Sequence, residues 1–238
     1  MRNEGERPAE AAVFAAAGFN TAPNFMAELV EELKRRLLAE RKLAAVSCAL
    51  LFPYGDWSAG SVAQLRMIRR DLALPLSGYA RSTGAKHIVK AISGTLSNKA
   101  AGRLILLGHS AGGAAAVQAA AQLLSAGEPW ANGLAVFQIG SPKVKVPEPL
   151  RERVCYLYAG RPDGKSRDPV CAIGSWGGWE RGRGGLPRWN RFLHAPGRIR
   201  AVPIIGGHRD YFRSREPFRN EEGLTNLEMV LERLMEEL

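Results

Sequence analysis

Short apolar runs alternate along the chain with longer segments in which apolar residues recur every three or four positions. Unbroken apolar runs are typical of strands that are buried on both faces of a sheet. The helical spacing is clearest in 24–41, where Phe25, Leu29, Leu33 and Leu37 share one face. Strands are therefore predicted over 12–17, 44–52, 133–139, 154–159 and 199–205, with another in the run that begins at Leu104.

Helices are predicted between these runs, over 24–41, 62–74 and 87–92, in the stretch after Ser110, and from near Thr225 to the end. Thr225 and Glu228 have the spacing of a capping box, which begins a helix by satisfying its first N–H groups. Strands that alternate with helices predict a largely parallel sheet with helices on both faces. The 238 residues suit a single α/β domain over 1–238, with 1–10 as an N-terminal tail.

Composition places the chain among ordinary globular proteins, with 46% hydrophobic and 24% charged residues. Residues 1–8 contain acids and a proline where a secretory leader has an apolar core, and no run approaches the roughly 18 apolar residues of a membrane span. The three cysteines, Cys48, Cys155 and Cys171, do not form an even disulfide framework. We therefore expect a cytoplasmic protein without an integral membrane segment.

The net charge of +10 is concentrated late in the chain, since 151–219 contain 14 arginines and one lysine against six acidic residues. Such a surface attracts anions. No nucleic-acid-binding motif accompanies it, so no nucleic-acid partner is expected, and the sequence does not determine the oligomeric state.

The segment 104–113 reads Leu-Ile-Leu-Leu-Gly-His-Ser-Ala-Gly-Gly and continues into an alanine-rich helical stretch. A buried strand that ends in Gly-x-Ser-x-Gly and leads directly into a helix is a nucleophile elbow. Gly108 and Gly112 lack Cβ atoms, which lets the tight turn pass close to neighbouring strand and helix. Ser110 is therefore the predicted nucleophile.

A serine hydroxyl needs a histidine to remove its proton, and that histidine needs a carboxylate to orient it. Of the four histidines, His109 lies beside the serine and is expected to point away, His87 precedes the elbow, and His194 precedes the last predicted strand. His208 follows a strand and two glycines that let a loop reach the serine. It is the predicted base.

Two aspartates follow the strand 154–159 and are candidates for the orienting acid. Asp163 is nearer to the strand, in a Pro-Asp-Gly sequence that also forms ordinary turns. Asp168 precedes Pro169, which stiffens the chain and removes a competing N–H. Asp168 is favoured, and Asp163 is the alternative.

The chain resembles the α/β-hydrolases, and its last third is most similar to their class 3, fungal-lipase-like branch. The similarity covers roughly 78–212 and depends on the elbow, on Asp168-Pro169-Val170, on the His-x-Pro-Gly stretch at 194–197 and on His-x-x-Tyr-Phe at 208–212. It implies that Asp168 and His208 serve as acid and base and that His194 is structural. Ala111 stands where many lipases have leucine, and no serine or threonine follows Gly18, so the resemblance leaves the substrate class open.

The same elbow geometry predicts an oxyanion hole made by the backbone N–H groups of Ala111 and Phe19, because Ala111 follows the nucleophile and Phe19 follows the first strand. As the alternative, Gly18 does no more than end that strand.

The segment 171–194 is rich in glycine and tryptophan and is predicted to be a lid loop over the site, with Trp176 and Trp179 contacting substrate. Packing of these indoles on the domain is the alternative.

The expected function is hydrolysis of a small-molecule or lipid carboxylic ester through a Ser110 acyl-enzyme, without metal or cofactor. A thioesterase on the same triad and a non-catalytic binding protein of the same fold are the alternatives.

Overall fold

A six-stranded parallel sheet forms the centre of the part of the chain described by the computed structural model, which covers residues 10–96, 102–127, 133–182 and 184–238. The strands of this sheet are β1 (Glu10–Ala16), β2 (Ala45–Leu51), β3 (Arg103–His109), β4 (Leu134–Ile139), β5 (Val154–Ala159) and β8 (Arg198–Val202). Their order is β2-β1-β3-β4-β5-β8, and every neighbouring pair is parallel.

Five α-helices within the described residues cover the two faces of this sheet. They are α1 (Ala27–Glu40), α2 (Ser61–Leu72), α3 (Thr83–Leu96), α4 (Ala111–Ser125) and α5 (Asn226–Glu237). Alternate residues of β3 belong to opposite hydrophobic clusters, because successive side chains of a strand point to opposite faces. Ile105 and Leu107 pack in the cluster with α1 and α5, whereas Leu104 and Leu106 pack in the cluster with α3 and α4. The predicted fold class is confirmed.

Element boundaries differ from the sequence predictions where a tertiary contact or a proline decides them. The strand predicted over 199–205 ends at Val202, because Pro203 has no N–H to continue the ladder. The helix predicted over 87–92 begins earlier, at Thr83, because the buried Asp71 carboxylate accepts the N–H groups of Thr83 and Gly84 at 3.0 and 2.8 Å. The predicted capping box of α5 is present at Thr225 and Glu228.

The segment 171–194 contains a two-stranded antiparallel hairpin, formed by β6 (Gly178–Arg181) and β7 (Pro187–Asn190). Trp179 and Trp189 are directly opposite each other in its register. Of the predicted N-terminal tail 1–10, residue Glu10 begins β1 and 1–9 lie outside the described residues.

Candidate active site

Ser110 lies at the junction of β3 and α4, in a backbone conformation that L-residues rarely adopt, with φ of 57° and ψ of −134°. Its N–H donates to the Ile139 carbonyl at 3.0 Å, which fixes the turn to the neighbouring strand β4. A Cβ atom on Gly112 would lie 2.1 Å from the Ala16 carbonyl oxygen, and one on Gly108 would lie 2.3 Å from the Gly113 Cα. The predicted strand, tight turn and helix are therefore all present, and glycine is sterically required on both sides of the serine.

The turn after β1 packs directly against the serine. A Cβ atom on Gly18 would lie 2.6 Å from the Ser110 Cβ, 2.9 Å from its Oγ and 3.0 Å from the Ala111 nitrogen. Ala111 is the first residue of α4, whose first N–H groups have no partner within the helix. The structure thus brings Gly18 and its neighbour Phe19 to the place where two chain segments can present backbone donors beside Ser110.

Asp168 and His208 form a direct pair at the carboxyl edge of the sheet. The His208 Nδ1 is 2.8 Å from the Asp168 Oδ2. The carboxylate also accepts the Val170 N–H at Oδ1, 2.8 Å away, and the Tyr211 hydroxyl at Oδ2, 3.1 Å away. The Tyr211 hydroxyl is itself fixed, since it accepts the Ala159 N–H at 2.8 Å.

The Asp168 side chain is buried, and the residue is 1% exposed. Burial raises the pKa of this carboxyl, but the hydrogen bond and charge of His208 and the donors of Val170 and Tyr211 outweigh it, so the pKa lies below its ordinary value. The acid therefore stays ionised and can hold a proton on the His208 Nδ1, which leaves Nε2 as the basic nitrogen of the neutral ring.

Asp163 does not reach this pair. Its Oδ1 accepts the Lys165 N–H at 3.0 Å, its Oδ2 is 3.9 Å from the Lys165 Nζ, and its side chain is 51% exposed. It lines a separate surface depression with Arg161 and Arg167. Of the two candidates, the structure brings Asp168 to the predicted base.

His109 contributes to the site, a role that the sequence reasoning missed. Its ring stacks on the His208 ring, with centroids 4.7 Å apart and planes at 27°. Its Nε2 is 3.0 Å from the His208 carbonyl oxygen, so the proton is on Nε2, while the buried Nδ1 has no partner among the described residues. Burial, and next the charge of His208, lower the pKa of His109 to about 3. A neutral His109 ring therefore packs against the ring of the predicted base.

The other two histidines lie elsewhere. The His87 Nδ1 contacts the Pro53 carbonyl at 2.6 Å. The His194 backbone N–H donates to the Trp176 carbonyl at 2.9 Å, and burial together with the charges of Lys145 and Arg151 lowers the pKa of its ring.

A cavity of about 560 Å³ opens beside Ser110 and is also lined by Ala111, Phe19 and His208. Its walls are largely apolar. They include Phe25 from the turn before α1, Val170 from the loop that carries Asp168, and a row from α2 consisting of Leu65, Ile68 and Leu72.

The structure does not bring the two predicted substrate-binding tryptophans to this cavity. Trp176 is 5% exposed and packs edge to face on Tyr156, with ring centroids 5.0 Å apart. Trp179 is 69% exposed on β6, and its ring contacts Trp189 of β7. From 171–194 as described, Ile173 lines the cavity, and α2 forms the wall that the sequence reasoning assigned to the tryptophans.

Within the described ranges, no cluster of three histidine, cysteine, aspartate or glutamate side chains is arranged to bind a metal ion. No helix among those residues is long and apolar enough to span a membrane.

The chain belongs to the class 3 lipase family, because the model of that family, Lipase (class 3), matches residues 13–153, more than half of the sequence. The resemblance to this branch of the α/β-hydrolases is thus confirmed. The match includes Gly18, Ser110 and Ala111 and ends before Asp168 and His208. No curated protein matches the chain.

Several solved structures are similar at low identity. A putative hydrolase of the α/β superfamily from Xanthomonas campestris is 15% identical, with 97% of this chain and 99% of that chain covered and a TM-score of 0.45. An acetylxylan esterase is 14% identical, with 83% and 84% covered and a TM-score of 0.40. A cutinase-like protein from Cryptococcus sp. is 20% identical with a TM-score of 0.38, and the match covers 57% of this chain and 55% of that one.

Proposed function

We propose that the protein is a serine hydrolase that cleaves a carboxylic ester through an acyl-enzyme on Ser110. One observation carries this proposal: Ser110 and His208 line the same cavity, and the buried Asp168 is bonded to the far side of the His208 ring at 2.8 Å. Membership of the class 3 lipase family supports ester hydrolysis as the activity.

In the proposed reaction, the His208 Nε2 takes the Ser110 hydroxyl proton as Oγ forms a bond to the acyl carbon. The resulting tetrahedral intermediate collapses when the bond to the alcohol oxygen breaks and that oxygen takes the proton from His208. A water molecule then attacks the acyl carbon of the acyl-enzyme while His208 takes a proton from it. The bond to the Ser110 Oγ breaks, Oγ takes that proton from His208, and the carboxylic acid is released. Asp168 stabilises the imidazolium in both halves of the cycle.

The negative oxygen of the tetrahedral intermediate is proposed to accept the N–H groups of Ala111 and Phe19. The proximity of Gly18 to the Ser110 Oγ and to the Ala111 nitrogen supports this assignment. Two backbone donors that are fixed before the reaction stabilise developing charge without reorganising, and removing one such donor typically costs about 10² to 10³ in kcat.

A fluorophosphonate probe tests the proposal, because it reacts with an activated serine and not with one that is merely exposed. Wild-type protein should be labelled at Ser110, as located by peptide mass spectrometry, and Ser110→Ala should not be labelled. A folded wild-type protein that resists the probe and cleaves no aryl ester of any chain length would instead be a binding protein. Thioesters of matched acyl length in the same panel separate a thioesterase from an esterase by their kcat/KM.

Two organisational predictions complete the proposal. Cys48, Cys155 and Cys171 are free thiols, which supports a location in the reducing cytoplasm. A single domain over 1–238 remains the proposed organisation, with 171–194 as a candidate lid whose role depends on movement of the β6–β7 hairpin.

A further inference from the structure

The charged residues that line the cavity beside Ser110 are all positive. Arg69 extends from α2, and Arg209 and Arg213 follow His208, whereas no acidic residue of the described chain lines the cavity. All three arginines are exposed, so they lie at the mouth, above the apolar wall formed by Leu65, Ile68 and their neighbours.

Two of these guanidinium groups are uncompensated. Within the described residues, Arg69 and Arg209 have no ion pair and no side-chain hydrogen bond. Arg213 differs, since its Nε is 3.5 Å from the Asp210 Oδ1 and its guanidinium lies over the Phe218 ring.

The nearby carboxylates are already engaged. Asp168 is bonded to His208, and the Asp210 Oδ2 accepts the Gly207 N–H at 2.9 Å. Elsewhere on the described surface, Arg35, Arg151 and Arg219 contact carboxylates of their own. Other exposed arginines such as Arg66 and Arg70 also lack an ion pair among the described residues, but Arg69 and Arg209 combine an uncompensated charge with a position in the lining of the cavity beside Ser110.

We propose, resting on the ester hydrolysis proposed above, that the substrate is an ester carrying a carboxylate or phosphate group that binds Arg69 and Arg209. A guanidinium presents a planar set of donors that matches the oxygens of either anion. Positive charge at the mouth of a low-dielectric cleft also raises the local concentration of anionic substrate. The apolar wall takes the hydrocarbon part of the same molecule, so the cavity selects an amphipathic anion over a neutral ester.

Matched ester pairs test this selection, one with a carboxylate on the acyl part and one with a phosphate on the alcohol part. The first pair is 4-nitrophenyl monoglutarate and 4-nitrophenyl pentanoate, which differ in a carboxylate on the acyl part. The second pair is 1-butyrylglycerol 3-phosphate and 1-butyrylglycerol, which have the same scissile bond and differ in a phosphate on the alcohol part. In each pair the measured quantity is the ratio of kcat/KM for the anionic ester to that for the neutral one.

In Arg69→Gln/Arg209→Gln the ratio should fall about tenfold in at least one pair, mainly through KM, because two exposed charge contacts are lost. Arg66→Gln/Arg70→Gln is the matched control, since it removes the same charge from α2 at exposed residues outside the cavity lining. It should leave both ratios unchanged within about twofold. The pair that responds shows whether the site takes a carboxylate on the acyl part or a phosphate on the alcohol part.

Calorimetry measures binding of the same ester pairs to the Ser110→Ala protein, which is not expected to cleave them. This measurement tests the charge selection independently of the proposed hydrolysis. Tighter binding of the anionic member, lost when Arg69 and Arg209 are also replaced, supports the charge selection even if the wild type cleaves no ester. Ester turnover with both ratios equal in wild type, double variant and control overturns the charge selection while the hydrolase function stands.

Discussion

The rings of His109 and His208 lie stacked with centroids 4.7 Å apart, and the His109 Nε2 donates to the His208 backbone carbonyl. The residue before Ser110 therefore contacts both the ring and the main chain of the predicted base. We expect His109 to act as a positioning residue, through His208.

Replacement of His109 by alanine should lower kcat about tenfold and change KM little, because the predicted base loses its support while the apolar wall from α2 is kept, although His109 also lines part of the cavity. His109→Gln should recover part of the loss, since an amide N–H can still donate to the His208 carbonyl. Steady-state kinetics on one aryl ester compares the three proteins. Equal kcat in wild type and His109→Ala would show that Asp168 alone orients the base.

His109 should also make the stability of the fold depend on pH. Its pKa is lowered from 6.5 to about 3 in the folded protein, so below pH 6.5 the unfolded chain binds a proton that the folded chain does not. The His109 contribution to the free energy of unfolding is therefore at its maximum above pH 6.5. It declines as the pH falls towards 3, by at most about 1.4 kcal/mol per pH unit.

Urea unfolding at several pH values between 7.5 and 4.5 would measure this dependence. His109→Gln should have a free energy of unfolding that declines less steeply over the same interval, even if it is less stable at every pH. Parallel declines for the two proteins would contradict the assigned titration.

Asp168→Asn should lower kcat by about 10⁴, because an amide has one acceptor oxygen and cannot accept the Val170 N–H at one position and the His208 and Tyr211 protons at the other, so that the imidazole takes the wrong tautomer. Asp163→Asn is the matched control, and its activity should stay within about twofold of wild type because that side chain lies on the surface beside Lys165. A larger loss in Asp163→Asn than in Asp168→Asn would transfer the acid role to Asp163.

Gly18→Ala should lower kcat about a hundredfold, because its Cβ would lie 2.6 Å from the Ser110 Cβ and 3.0 Å from the Ala111 nitrogen. Gly94→Ala on α3 provides the control, since a Cβ atom there meets nothing within 4 Å. It should retain full activity and gain slightly in thermal stability. Unimpaired turnover by Gly18→Ala would show that this turn takes no part in the reaction.

Ser110→Gly should be more stable than Ser110→Ala by about 1 kcal/mol, because only glycine adopts a φ of 57° with a ψ of −134° without strain. Both variants should lose about 10⁴ to 10⁶ in kcat. Their free energies of unfolding in urea provide the comparison. A less stable glycine variant would show that chain entropy outweighs the strain at the elbow.

The sequence carried enough information for the sheet and the elbow because both depend on local patterns. Apolar runs identify strands that are buried on both faces, and Gly108 and Gly112 report directly on the close contacts around Ser110. The pairing of His208 with Asp168 was also accessible, because strands of a parallel sheet bring their following loops to one edge.

Features that depend on contacts between residues distant in sequence could not be predicted from local sequence patterns. The Asp71 carboxylate that begins α3 lies on another helix, and no local signal near Thr83 announces it. The glycine- and tryptophan-rich composition of 171–194 is compatible with a lid and equally with indoles that pack on the domain. The packing of Trp176 on Tyr156 depends on the assembled fold and has no local sequence signal. The stacking of His109 on His208 joins residues that are far apart in sequence.

The attachment of α2 has a consequence for how this molecule can diversify. Asp71 fastens the end of the helix to Tyr54, Ser82 and the start of α3, while Leu65 stands at the cavity with its side chain partly in solvent. One end of α2 is thus fixed by the buried hydrogen bonds of Asp71, whereas the exposed position Leu65 tolerates replacement. Substitutions at Leu65 can change the shape of the cavity while the hydrogen bonds of Asp71 stay in place, which makes this wall the natural starting point for redesigning what the cavity accepts.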